Sequence, residues 1–553
     1  MYHIYNKINI FLSCKDGLLW FTQSSLFMKL KAALFTFLFV LLCFFTAIAE
    51  IMPPAKGQKG NREEIIYHIF QRSFYDSNGD MQGDLNGIRL KLDYLQQLGV
   101  TAILLTPLYE SVFYHNYFAS DFKKIDPAYG SMHDYLALIK ELHRRGMKFY
   151  MDMETQYVTE DHIWWKDGVS NLKSPYSDYI LYDDKAHTTP STIIFNLKGL
   201  LGYDSVYRKI TTVNLYSPKV QEYNYRLFKF WEDPNGDGKF DDGVDGFRLD
   251  HMMDNLDNKL PDLFSRFWRP LLGKLRKVNP KLRIIAEQAS WGSIGQDYFA
   301  NGGVDRVFAF RLAFAIRTFK KDQIAAAADS TFMLTPANKQ QVVFIENHDT
   351  PRFSYGVKGD VDHLKIGAAL NLLLGGVPSI YYGQELGMSG TNASLGATDA
   401  NDIPNRSAFE WYKSDQGKGM AYWYKVKGPW RNTFNSDVPD DGISLEEERN
   451  DPNSLWTFYR KMIAIRKVNP VISKGAYKTL KNDKDDVFSF MRYKNNRRVI
   501  VAVNLSDKPE TVAIAADGKT GMLKVLYGAS KPNVADKNIT ITLPAYGIEV
   551  VGM

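Results

Sequence analysis

The sequence predicts an α/β fold: a closed (β/α)8 barrel of the TIM type, with a small domain inserted after its third strand and a C-terminal antiparallel β-sandwich. Three observations carry this. Eight short apolar runs alternate with helix-like stretches from about Glu63 onward. One interval, between the third and fourth runs, spans roughly ninety residues, too many for a helix and its loops. Past Pro470 the texture changes to closely spaced alternating runs.

The strand-like runs are IIYHIF (65–70), TAILLTP (101–107), KFYMDM (148–153), GFRLD (246–250), RIIAEQ (283–288), DRVFAF (305–310), VVFIEN (342–347) and VPSIYYG (377–383). Each is apolar and bounded by charge or glycine, as a strand buried on both faces of a parallel sheet reads. Between them lie stretches such as Asp134–Arg145, where Leu136, Leu138, Ile139 and Leu142 recur at helical spacing. Eight such units close into a barrel. An open doubly wound sheet is the rival, but no glycine-rich phosphate loop follows the first strand.

Residues 155–215, rich in Tyr, Ser, Thr and Asp, form the inserted domain, and residues 450–469 form a closing helix. VFSFMRY, RVIVAVNL, KVLYG and ITITLPAYGIEVV then read as antiparallel strands. The expected domains are an N-terminal extension and signal peptide (1–49), the barrel (60–154 and 216–469), the insertion (155–215) and the sandwich (470–553).

A chain of 553 residues exceeds one ordinary core. The 45% hydrophobic and 24% charged residues are those of a soluble globular protein. The four lysines and single acid of residues 1–49 account for half of the formal +6, so the remainder carries no nucleic-acid footprint. Met28-Lys-Leu-Lys31, apolar Ala32 to Phe45 and the small-x-small Ala47-Ile-Ala49 read as a secretory signal, with Met28 as the start. The apolar stretch is shorter than the about 20 residues of a bilayer span, so no stable membrane anchor is expected. The only cysteines are Cys14 and Cys43, which leaves the mature chain without disulfides. That suits export to a bacterial periplasm or medium.

Four of the runs end in polar residues: Asp152, Arg248 with Asp250, Glu287, and His348 with Asp349. In a β/α barrel the carboxyl ends of the strands form the active site. Carboxylates converging there supply what acetal hydrolysis requires, an acid for the leaving oxygen and a carboxylate for the oxocarbenium-like carbon. Asp250 is the candidate nucleophile, because Arg248 two residues earlier points to the same side and holds it ionised. Glu287 follows an apolar strand and precedes Trp291, surroundings that favour a protonated acid.

GFRLD, AEQ-x-x-W, ENHD and the earlier YHNYFASDFKKIDPAYGS (114–131) resemble conserved regions of the α-amylase family, glycoside hydrolase family 13. The resemblance spans about residues 60–553 and implies a retaining double displacement. Asp250 would be the nucleophile, Glu287 the acid/base and Asp349 the transition-state stabiliser. It further implies that Arg248 and His348 bind substrate, that Tyr117 stacks on the sugar and that His115 hydrogen-bonds it. Asp152 supports the site. Asp121, Asp402 and Arg406 are further candidates, for which ordinary structural roles serve as well.

The chain departs from the family pattern in places. The Asn and His usual after the third strand are Gln156 and Tyr157, and an acid usual near the end of the insertion is Val213. Valine cannot ligate a cation, so the usual calcium between barrel and insertion is expected to be missing. After the nucleophile, Met253 and Asp254 stand where starch-cleaving members carry Lys-His. Calcium is instead expected in the loop after strand 1, where Asp76, Asn78, Asp80, Gln82 and Asp84 place oxygen ligands at alternate positions, although Met81 replaces the usual Gly; a solvated turn is the alternative. A second stretch, Asp233 to Asp242, begins like an EF-hand loop but has Val244 at its twelfth position. It reads equally as a weak site or an Asx-rich turn.

The expected activity is hydrolysis of α-glucosidic, mainly α-1,4, bonds of starch-derived glucans or maltooligosaccharides. Cyclomaltodextrinase-, neopullulanase- or α-glucosidase-like specificity, a transglycosylase or isomerase, and a non-catalytic glycan-binding relative are the rivals.

Overall fold

Eight parallel strands close on themselves in sequential order. They are β1 (Ile66–Ile69), β2 (Ala102–Leu105), β3 (Lys148–Met153), β4 (Gly246–Leu249), β5 (Arg283–Ala286), β6 (Arg306–Phe308), β7 (Gln340–Val343) and β8 (Val377–Tyr381). This computed structural model describes residues 63–414, 416–426, 438–515, 522–535 and 538–553; the expected signal segment lies outside the described residues. No helix of the described residues is long and apolar enough to cross a membrane.

Strand alternation sorts the apolar side chains into two cores. Ile66, Leu104, Tyr150, Ile285, Phe308, Val342 and Val377 pack together inside the barrel. Tyr67, Ile103, Phe149, Phe247, Ile284 and Val307 belong to the larger cluster that the surrounding helices cover. At the amino end Arg306 pairs with Glu64, and Tyr150 donates its hydroxyl to Glu64 at 2.8 Å. Burial opposes ionisation there, but Arg306 and Lys148 hold the Glu64 carboxyl down at about 2. The floor of the barrel is thus closed, and the polar residues above it face the opposite, carboxyl end.

Register places those residues side by side. Asp152 lies opposite Arg248, and Arg248 opposite Ile285. Glu287, two residues beyond Ile285, therefore rises on the same inner face as Arg248 and Asp152. Tight approach of β4 to β5 requires Gly246, where an added Cβ would meet the Arg283 carbonyl oxygen at 2.1 Å.

A five-stranded sheet stands over the ends of β2 and β3, in the order Tyr109–Ser111, Ala119–Ile125, Tyr157–Thr159, Tyr207–Thr212, Gly199–Leu201. Its first two strands come from the connection after β2, residues that the sequence reading places in the barrel. The first is only three residues long and the two are bulged against each other, so their periodicity is weak. The helix Leu455–Val468 starts at Ser454, whose Oγ accepts the Thr457 N–H at 3.2 Å. A five-stranded and a three-stranded antiparallel sheet follow, with Met491, Ile500, Val512, Ile514, Ile539 and Ile541 sharing one core.

Candidate active site

The strand ends converge on one guanidinium. Arg248, only 1% exposed, donates Nη1 to both Asp152 oxygens at 2.9 and 2.8 Å and to Asp250 Oδ1, and Nη2 to Glu287 Oε2 at 2.7 Å. Asp349 Oδ2 lies 3.9 Å from Nη2. One oxygen of Asp250 and one of Glu287 approach within 4.8 Å, with the His251 ring in the same cluster. Trp291 Nε1 donates to the second Glu287 oxygen at 3.2 Å. The sequence reading expects apolar surroundings for Glu287; the structure gives it three donors, Arg248, Trp291 and the His251 N–H at 3.3 Å.

Tyr117 links the cluster to the neighbouring loop. Its hydroxyl donates to Asp152 Oδ2 at 2.7 Å and meets His348 Nε2 at 2.6 Å, and the two rings lie parallel with centroids 5.5 Å apart. Burial together with His68, Arg406 and Arg248 depresses the His348 ring well below its usual range, leaving it neutral. His115 is neutral for the same reason, burial reinforced by Arg406 and Arg72. It accepts the Tyr117 N–H at 3.1 Å and faces Asp399 Oδ2 at 3.9 Å.

Arg406 sits over Asp349, with Nη2 at 3.2 Å from Asp349 Oδ1 and 3.3 Å from Asp402 Oδ2, and Nε donating to the His348 carbonyl at 3.0 Å. Burial and Glu287 push the Asp349 carboxyl up to about 6, against the pull of Arg406 and Arg248. Burial and Asp250 likewise push Asp152 up, Arg248 opposing. Several carboxyls share few cations here, which raises the cost of ionising every acid at once.

Asp402 and Arg406 therefore join the cluster. Asp121 instead is exposed on the second strand of the inserted sheet, where it accepts the Lys123 N–H. Tyr157, in place of the usual His, donates its hydroxyl to Asp257 at 3.0 and 3.1 Å. Gln156 donates to the Asp250 carbonyl at 3.1 Å, and Val213 is buried in the apolar cluster. Asp254 accepts the Phe264 N–H at 2.6 Å, and Met253 is 9% exposed. Sequence reasoning missed His68, His251 and Asp399. His68 shares the inward parity of Ile66 on β1, and His251 directly follows Asp250, signals that could have found both. For Asp399 no pattern exists.

The loop after β1 has the chemistry of a hard-cation site. Asp76 accepts the Met81 N–H at 2.8 Å, Asn78 that of Asp80 at 3.0 Å, and Asp80 that of Gln82 at 2.8 Å. The Gln82 side chain is held by Arg72, which leaves its backbone carbonyl, the group that position 7 of a calcium loop uses. Asp84 binds Ser77 and caps the helix Leu85–Leu90 through the Gly87 N–H at 2.7 Å. Asp76, Asn78 and Asp80 accept only amide donors, so the oxygens there fit calcium.

Residues 68–475 match the family model for the α-amylase catalytic domain, and residues 477–550 that for the maltogenic amylase C-terminal domain. Alpha-amylase 3 of Dictyoglomus thermophilum is 28% identical over 477 residues, covering 85% of this chain and 89% of its own. The oligo-1,6-glucosidase of Parageobacillus thermoglucosidasius is 27% identical over 529 residues, covering 81% and 90%. The crystal structure of the alpha-amylase from H.orenii superposes with a TM-score of 0.74 at 27% identity, over 89% of this chain and all of that one. A catalytic-domain match over well more than half the chain, on a closed barrel with acids gathered at its strand ends, makes this chain a member of the α-amylase family, glycoside hydrolase family 13, and a glycoside hydrolase of α-glucans.

Proposed function

We propose that the enzyme cleaves α-glucosidic, mainly α-1,4, bonds of starch-derived glucans or maltooligosaccharides with retention of configuration. Asp250 attacks the anomeric carbon while Glu287 protonates the departing glycosidic oxygen, and a covalent glycosyl-Asp250 ester forms. Water, deprotonated by Glu287, then attacks from the face that the leaving group vacated, opposite Asp250, and releases the Asp250 carboxylate. Asp349, Arg248 and His348 hold the sugar hydroxyls as the ring flattens, with Tyr117 stacked beneath it, His115 hydrogen-bonded to it and Asp152 fixing Arg248. The observation that carries this reading is the approach of Asp250 and Glu287 oxygens within 4.8 Å. A retaining pair stands about 5 Å apart, whereas an inverting pair stands roughly 6.5–9.5 Å apart to admit a water.

Asp250→Asn is expected to abolish turnover, by about 10⁴-fold or more, with unchanged circular dichroism. Starch, pullulan, cyclodextrin, maltose and isomaltose, followed by product and anomer analysis, test bond preference; β-anomer appearing first from an α-linkage would overturn retention. We further propose that calcium binds at Asp76, Asn78, Asp80, the Gln82 carbonyl and Asp84, where it would tie the loop to the helix that follows. Export through residues 28–49 is proposed from the signal pattern and is tested by cell fractionation.

A further inference from the structure

The connection between the helix Pro218–Glu232 and β4 has the same internal order as the loop after β1. Asp233 Oδ2 accepts the Gly238 N–H at 2.9 Å, Asn235 Oδ1 the Asp237 N–H at 2.8 Å, and Asp237 Oδ1 the Lys239 N–H at 3.0 Å. Gly238, at position 6 counted from Asp233, has φ +78°, and Met81 at the matching position of the first loop has φ +69°. Position 6 of an EF-type loop is where the chain turns sharply.

Turn geometry alone identifies no ligand; the orphaned oxygens do. Asp233 is only 4% exposed, and its Oδ1 has no hydrogen-bond partner although Oδ2 is turned into the loop. Asp242, at the far end, repeats this: Oδ2 accepts the Asn235 N–H at 3.2 Å and Oδ1 is buried and unpartnered. An unpaired buried carboxylate oxygen is costly unless a cation joins it. Neighbouring Glu232 also has a buried, unpartnered oxygen. The helix ends here, so its negative pole favours a cation as well. The one paired lysine of the loop, Lys239, is largely exposed and bonded to Asp237.

We infer that Asp233, Asn235, Asp237 and Asp242, with the Lys239 carbonyl, form a second divalent-cation site of the calcium class. Asp242 takes the place of the missing acid at position 12. Asp250, His251 and Glu287 are the one acid or histidine trio among the described residues with ligand atoms within 4.8 Å of one another, so the loop carboxylates must draw together on the ion. The site lies before β4, at the barrel end opposite the strand-end acids, and its ion would anchor the strand that carries Arg248 without touching substrate.

The test uses the full-length chain stripped with chelator, and terbium as the probe. Trp231, whose carbonyl accepts the Val244 N–H at 3.0 Å, supplies sensitised emission. Asp76→Asn/Asp80→Asn disables the first loop; this variant is expected to retain a calcium-competable terbium signal. Adding Asp233→Asn and Asp242→Asn is expected to weaken that signal by about tenfold or more. In the wild-type chain, calcium is expected to slow hydrogen exchange of amides 235–244, a readout independent of how the variants fold. No signal in the first variant, a signal indifferent to the added substitutions, or exchange unmoved by calcium would each overturn the site.

Discussion

Arg248 cannot itself discharge; Asp152, Glu287 and Asp250 raise its affinity for its proton still further against burial. Asp349 stands apart, 3.9 Å from that guanidinium and leaning on Arg406 at 3.2 Å. Burial and Glu287 raise its carboxyl to about 6. In the proposed mechanism the carboxylate form is required, so kcat/KM should rise with pH through about 6. Arg406→Gln removes the nearer cation and is expected to move this acid limb upward; an unmoved limb would assign it to another group. Stability runs the other way. Between the ordinary carboxylate value and about 6 the folded site holds a proton that the unfolded chain has shed, so this group's contribution is full at low pH and is lost as pH rises through about 6. Arg248 and Asp250 were legible because strand parity puts residues two apart on one face. Arg406 was not, since DIPNRS has no periodicity and only the folded loop brings it over Asp349.

At the level of elements, the active site depends on how closely β4 and β5 can lie. The eight strands were readable because burial on both faces makes each a continuous apolar run. The first two strands of the inserted sheet were not, the first being three residues long and the pair bulged where Glu110 meets Asp121. Gly246 carries a burden that the sequence hides. Its Cβ position is occupied by the Arg283 carbonyl oxygen at 2.1 Å and the Tyr150 ring at 2.8 Å, both parts of rigid elements. Gly246→Ala must therefore push β4 away from β5 or displace Tyr150 from the barrel floor. The expected cost is about 3 kcal/mol, at the upper end of overpacking penalties, read as a lower urea midpoint. Because Arg248 and Glu287 sit one and two turns of the pleat further along, kcat should fall as well. A variant with wild-type midpoint and kcat would show that the two strands slide without strain.

Across the whole molecule, the barrel and the C-terminal sheets share a core. Phe488, Phe490, Val499, Val501, Val503, Ile548 and Val550 belong to the buried cluster of the barrel helices, not to the core between the two C-terminal sheets. Phe332 of the helix Lys321–Leu334 lies 4.9 Å from the Tyr477 ring, which stacks on Phe490 at 5.7 Å. Arg492 donates to the Leu374 carbonyl at 3.1 Å, and Thr479 to Asp329 at 2.8 Å. Residues 62–553 accordingly form one compact unit. Loosening the C-terminal sheet should then cost the barrel, and the tryptophans offer a one-sided reporter: the last of the ten is Trp456, so none lies in the C-terminal strands. Phe490→Ala deletes a fully buried ring at the junction and is expected to cost about 3–5 kcal/mol. If the junction couples the two parts, the tryptophan-detected transition of the barrel moves down with the loss of C-terminal amide protection, at one temperature. A barrel transition left in place while the C-terminal amides exchange freely would make the terminal sheets a separate unit, and the shared core would then be contact without cooperativity.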